Sequence, residues 1–219
     1  MRFRHWLFAI TGLVTVSLLD LQSSAQNSAQ NAQEIAGRII FASGEVGIER
    51  SDGLQIRAEN RTKLYSGDVL ITGSDGNLQI RFADSAVLSL RCNSRLQITS
   101  YQYQDSTSDN VSMYLQQGSL RTITGKIQLS NYQLVTDIAS IKPGGTDYEV
   151  ALVSPLKAFF GVYDGTITIT TKLGGLELGI ANGINFGSAD DLKPPIGLAL
   201  QPPGLGNSGI LQPNSACRG

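Results

Sequence analysis

"LYSGDVLITGSDGNLQIRFADSAVLSLRCNSRLQI", Leu64 to Ile98, holds four short apolar-alternating runs, separated by small polar and turn-forming residues. The runs are Val69 to Thr72, Asn77 to Phe82, Ala86 to Leu90 and Arg95 onward. Alternation with a period of two sends successive side chains to opposite faces, as in a strand with one buried side. Ser74-Asp75-Gly76 supplies the Asp and Gly that tight turns need. Gly67, Asp68 and Gly73 are expected to shape turns of the same kind. No helical period survives in this stretch.

The pattern continues on both sides. Upstream, Arg38 to Ala42, Glu45 to Arg50 and Ile56 to Ala58 read as strands, with Ser51-Asp52-Gly53 as a turn. Downstream come Val111 to Gln116, Ser119 to Thr124, Lys126 to Ser130, Tyr132 to Thr136, Asp147 to Val153, Ala158 to Tyr163, Thr166 to Thr171 and Leu176 to Ile180, with Ile184 to Phe186 a further candidate. Gly118 is expected at a turn between two of them, and Asp164-Gly165 at another. The expected fold is all-β, with many short strands in one or two sandwich- or solenoid-like lobes. The segment from Gly44 to Gly53 echoes the one from Gly165 to Gly174, which reads as two hairpins sharing ordinary turn chemistry. Pro194, Pro195, Pro202, Pro203 and Pro213 mark a C-terminal tail over 190–219, placed on the surface because proline cannot donate to a ladder.

"TDIASIKPGGTDYEV", Thr136 to Val150, interrupts two strand-like runs with Pro143-Gly144-Gly145-Thr146. A phosphate-cradling loop would open a helix and carry Lys beside its Ser or Thr. Here Asp147 to Leu152 alternates as a strand, so Gly144, Gly145 and Thr146 are read as a structural turn. Catalytic chemistry is sparse. The single histidine, His5, lies in the N-terminal segment, so the remaining chain builds no Ser-His-Asp or Cys-His relay and no His-ligated zinc site. Asp68, Asp84, Asp137, Asp147, Glu149 and Asp164 are formally available as acids and bases, but most sit where Asp caps a turn. "SADD", Ser188 to Asp191, lacks EF-hand spacing and reads as solvated turn acids. No enzyme activity, cofactor or metal is expected. Tyr101, Tyr103 and Tyr114 suit a half-buried strand or a sugar-stacking face, and the core reading is preferred.

Arg2 and Arg4, an apolar run from Trp6 to Leu19 and small residues at Ser23-Ser24-Ala25 form an export signal over 1–25, with cleavage expected after Ala25. That run is short for a span of roughly 30 Å of hydrocarbon, and no later membrane span is expected. Residues 26–37 read as a flexible polar leader and 38–189 as the β domain, in the periplasm or secreted. Removing the signal takes away two of 17 basic and one of 18 acidic residues, moving the net charge from -1 to -2. With its basic residues scattered, such a chain is a poor nucleic-acid binder. Cys92 and Cys217, the only two cysteines, are expected to form a disulfide in an oxidising compartment, clamping the tail across the β body.

Three segments together resemble the FecR domain. Leu64 to Ile98 resembles the family's succession of Gly-Asp, Thr-Gly, a strand ending in a Phe-x-Asp turn and a strand leading to a Ser-x-Leu turn. "LQQGSLRTITG", Leu115 to Gly125, resembles its Gly-Ser-Leu-Arg segment. Val135 to Val150 resembles its Arg-Gly-Thr segment, except that Gly144 stands where Arg is usual. The resemblance covers about Gly37 to Gly183. It implies β-rich, partly solenoid-like lobes, and a non-catalytic module of envelope signalling or assembly that contacts an envelope protein. The cytoplasmic anti-sigma segment and membrane span of classical FecR proteins are not expected in this chain. A carbohydrate- or surface-polymer-binding protein of the envelope is the alternative.

Overall fold

The computed structural model describes residues 34–206. The signal segment, the first part of the leader and Cys217 lie outside them. The strands are β1 (Ile35–Ser43), β2 (Val46–Glu49), β3 (Gln55–Arg57), β4 (Lys63–Tyr65), β5 (Val69–Thr72), β6 (Asn77–Phe82), β7 (Val87–Leu90), β8 (Arg95–Gln102) and β9 (Asn110–Gln117). They continue with β10 (Ser119–Ile123), β11 (Tyr132–Val135), β12 (Ser140–Pro143), β13 (Asp147–Ser154), β14 (Lys157–Asp164), β15 (Thr166–Thr171), β16 (Gly174–Gly179), β17 (Phe186–Asp190) and β18 (Ile196–Leu198). Among the described residues, helix is confined to single 3-10 turns at Leu129–Asn131 and Ile180–Asn182.

The strands form two nine-stranded sheets. The first runs β18-β17-β14-β13-β10-β7-β6-β1-β4 and the second β16-β15-β12-β11-β9-β8-β5-β2-β3. Apart from a local reversal at the start, strand position advances with the sequence in both sheets. The chain lays down one or two strands in one sheet, crosses to the other and returns. Every pairing is antiparallel except β9 with β11, which straddle a visit to the first sheet. Inward residues of both sheets, among them Ile39, Leu78, Leu88, Leu120 and Phe160 facing Ile48, Leu70, Leu96, Leu115 and Ile169, join one apolar cluster. The expected sandwich and solenoid features thus coexist in one body with a continuous core.

Crossing between stacked sheets bends the backbone sharply, and the bend recurs with left-handed residues. Gly44 (φ 68), Gly67 (φ 93), Asn93 (φ 51), Gly118 (φ 82), Gly145 (φ 75) and Gly165 (φ 69) each sit where the chain leaves one sheet for the other. Glycine adopts this region without the Cβ clash that penalises other residues. The echo between Gly44–Gly53 and Gly165–Gly174 has this cause: in both, a strand of the first sheet turns through glycine into a hairpin of the second, β2–β3 or β15–β16.

Some expectations needed correction. Lys126 to Ser130 is a connection rather than a strand, because the N–H groups of Lys126 and Ile127 bond the carbonyl and Oδ2 of Asp84 instead of a neighbouring strand. β1 begins at Ile35, so the last residues assigned to the leader belong to the sheet. The tail contributes β18, paired to β17. Asp164-Gly165 forms the expected turn, and that turn carries the chain from β14 to β15 in the other sheet.

Candidate functional site

The predicted turn residues act as braces. Asp68, 1% exposed, accepts from Arg50 Nη1 at 2.5 Å and from the Tyr65 N–H at 2.8 Å, closing the β4–β5 crossing. Burial pushes its carboxyl up, against the pull of the Tyr65 N–H and the Arg50 guanidinium. Gly73 lies under Glu45, where a Cβ would come 2.3 Å from Oε2. At Gly118 a Cβ would come 2.0 Å from Ser94 Oγ, which accepts from the Ser119 N–H at 3.0 Å. Cys92, in the same corner, is buried.

The Pro-Gly-Gly-Thr break carries β12 across to β13. Pro143 ends β12 opposite Ile167, and the Gly144 N–H donates to the Thr166 carbonyl at 2.7 Å. A Cβ at Gly144 would come 2.3 Å from Thr166 Oγ1, so this corner is built for the absence of a side chain. Thr146 is 3% exposed, donates its hydroxyl to the Asp164 carbonyl and accepts at its own carbonyl from the Thr124 N–H. These contacts tie the backbone of one strand end to the next, directly and through the Thr146 hydroxyl.

Asp84, fully buried in the β6–β7 turn, accepts from the Ala86 N–H at 3.0 Å, the Ile127 N–H at 3.4 Å and the Tyr101 hydroxyl at 2.5 Å. Tyr101 stacks on Phe82 with ring centroids 4.4 Å apart, so it belongs to the core as preferred from the sequence. Burial, reinforced by Asp84, raises its phenol far above the ordinary tyrosine range. Tyr103 packs against the core, whereas Tyr114 stands on the outer face of the second sheet and donates to Asp137 Oδ1.

The outer face of the first sheet carries a cluster that turn-based reading passed over. Strands β10, β13 and β14 place Arg121 opposite Glu149, and Glu149 opposite Gly161. Arg121 holds Asp147 through two 2.8 Å bonds and lies 4.1 Å over the Tyr163 ring. Tyr163 donates to Glu149 Oε2 at 2.7 Å, and burial together with this bond raises its phenol. Glu149 is fully buried although it points away from the core. The cover is the tail: the Gly206 N–H donates to Glu149 Oε2 at 2.8 Å, and Leu205, 3% exposed, fills the space above Gly161. A charged residue between Tyr148 and Val150 in a strand was the visible signal; the tail that buries it was not.

Four strands end the sheets: β4 and β18 in the first, β3 and β16 in the second. Three have only three residues, and β16 has six. Leu173 and Ile180, flanking β16, are exposed. Among the described residues there is no group of three or more His, Cys, Asp or Glu placed to hold a metal ion, and no helix long and apolar enough to cross a membrane.

Glycine-turned corners, buried acids that brace the turns and one six-residue edge strand characterise the all-β scaffold. Residues 68–168 match the family model described as FecR protein. No curated protein matches. Two crystal structures of a "putative anti-sigma factor from Parabacteroides distasonis ATCC 8503" are similar at 13% identity, with TM-scores of 0.48 and 0.47, over 59% of this chain and 58% of theirs. The chain therefore spans 58% of the length of these relatives. A "Cell surface anchoring domain" is similar at 21% identity and a TM-score of 0.28, over 28% of this chain and 82% of its own.

Proposed function

We propose that this protein is a non-catalytic, extracytoplasmic protein-binding module of envelope signalling or assembly. The match of residues 68–168 to the FecR family model carries the reading. Its physical counterpart is β16, Gly174–Gly179, the longest of the four edge strands. Very short edges offer little template for pairing; the Gly179 N–H of β16 is already donated to the Ile184 carbonyl, and the stretch Gly175–Glu177 is the part of its edge to which a partner strand can add. No enzyme role is proposed, because Asp68, Asp84 and Glu149 are buried and already accept hydrogen bonds from fixed partners.

We infer that residues 1–25 act as an export signal, which would carry the protein to the periplasm or outside the cell, a compartment in which Cys92 and Cys217 would oxidise. The tail supports that pairing. Leu205 lies against β14 and Gly206 on β13, and β10 and then β7, which leads to Cys92, are next in the sheet. Two strand spacings amount to about 10 Å, and each remaining residue reaches roughly 3.3 Å when extended.

The competing reading is surface-polymer binding by the outer face of the second sheet, where Gln97, Tyr114 and Val135 lie side by side and Gln133 donates to Ser140 Oγ at 2.7 Å. Immobilised mature protein exposed to envelope extract and to isolated surface polysaccharide separates the two. Saturable retention of a defined envelope protein, unchanged by added polysaccharide, is expected. Retention of polysaccharide alone would replace the proposal.

A further inference from the structure

The segment Gln201–Gly206 is held to the sheet by few contacts, and those contacts form a built recognition site. Gly161 lacks the side chain that would fill the outer face of β14: a Cβ there would lie 3.3 Å from Leu205 Cδ1 and 3.4 Å from the Phe186 ring. Leu205 enters that hole as an anchor. One residue on, the Gly206 N–H is donated to the buried Glu149 carboxylate. The segment is pre-shaped for this fit. Gln201 Nε2 donates to the Leu205 carbonyl at 2.6 Å, and Gly204 (φ 92) and Gly206 (φ 80) adopt left-handed angles. Leu205 is buried yet lies outside the main apolar cluster, so the core does not depend on it.

We propose that the groove over Gly161 and Glu149 is a peptide-binding site, with Gln201–Gly206 as its resident, displaceable occupant. The competing partner is a segment of an envelope protein that presents a branched aliphatic side chain followed by a glycine N–H in a tight turn. Leucine fits the hole left by Gly161, the buried carboxylate, which already holds the Tyr163 hydroxyl, accepts the further N–H, and the left-handed backbone favours glycine. An ordered six-residue segment fixed by two buried apolar residues, Pro202 and Leu205, and by the Gly206–Glu149 bond belongs to the low-stability end of a structure, from which exchangeable elements are drawn. While the tail is docked the site is closed to others, so displacement makes the interaction switchable.

The proposal rests on the protein-binding reading only for the identity of the competitor, and its test contains no envelope partner. A fluorescent peptide with the sequence of residues 200–208 is titrated against the full mature chain and its Leu205→Asp variant, with folding of each followed by melting. The variant is expected to bind the peptide at least tenfold more tightly than the unsubstituted chain, and a peptide carrying Asp for the same Leu is expected not to bind. A folded Leu205→Asp variant that binds no tighter than the unsubstituted chain overturns the proposal. If that variant does not fold, Gly206→Pro, which removes the donated N–H, is put through the same titration with the same criterion. Failure of both to fold also overturns it, since a displaceable occupant must be dispensable for folding. A negative result leaves the retention of an envelope protein untouched, and loss of that retention leaves the peptide result untouched.

Discussion

Two glycines with similar backbone angles separate the two ways in which glycine matters here. Gly165 (φ 69) crosses between the sheets with the Gly145 carbonyl where its Cβ would be, at 2.0 Å, whereas Gly53 (φ 85) turns the β2–β3 hairpin in open space. Gly165→Ala is expected to lose about 2–4 kcal/mol in denaturant unfolding, since a backbone clash adds to the left-handed penalty. Gly53→Ala is expected to lose only about 1 kcal/mol. Asp84 makes a comparable case for a buried acid. Asp84→Ala leaves the Ala86 and Ile127 N–H groups and the Tyr101 hydroxyl without their acceptor, and a loss of roughly 3–5 kcal/mol is expected in the same measurement.

Among the elements, the buried tyrosines set the alkaline limit. Burial pushes Tyr132 up to about 12 and Tyr148 well above its ordinary value, with their hydroxyls and that of Thr122 in the core outside normal hydrogen-bond geometry. Tyr101 and Tyr163 are raised as well. Because the folded state holds these protons more tightly than the unfolded chain, their contribution is complete below about pH 10. It falls as pH rises from there through the folded values, by about 1.4 kcal/mol per pH unit per tyrosine. Denaturation midpoints should therefore hold steady to about pH 10 and drop beyond it, and phenolate absorbance from the fully buried Tyr101, Tyr132 and Tyr148 should appear only with unfolding. A gradual titration of all seven tyrosines in the folded protein would contradict the burial described.

Strand existence was largely legible for related reasons. Val69–Thr72, Asn77–Phe82 and Thr166–Thr171 alternate over enough residues to be bounded as observed. β4 and β18 were missed because three residues, in β18 beside two prolines, carry too little alternation, and β12 was seen only as a strand-like run before the Pro-Gly-Gly-Thr break, without bounds. The crossings were visible as turns but not as crossings. A left-handed glycine closes a hairpin and a sheet-to-sheet corner alike, and only the neighbouring strand decides which. The Arg121, Glu149 and Tyr163 cluster stayed hidden for a similar reason, since its members meet through register across three strands.

For the whole molecule, the two-sheet body gives the tail its place and the proposed disulfide its purpose. A Cys92–Cys217 bridge would enclose 124 residues and, in the chain-entropy model, contribute roughly 4–5 kcal/mol, an upper figure because the tail must also be ordered. Protein taken from its native compartment should yield the linked peptide in a non-reduced digest. Alkylation of both thiols would refute the bridge. The match to the FecR family model, the committed acids and the β16 edge are what support the proposal that this molecule acts by being bound. A photo-crosslinking residue placed at Glu177, exposed on β16, tests this in intact cells, with the same residue at Glu59, on the turn between β3 and β4, as the comparison. The account predicts one discrete protein adduct from Glu177, identified by mass spectrometry and absent from Glu59. Absence of any protein adduct from Glu177, with the protein recovered on surface polysaccharide instead, would contradict it.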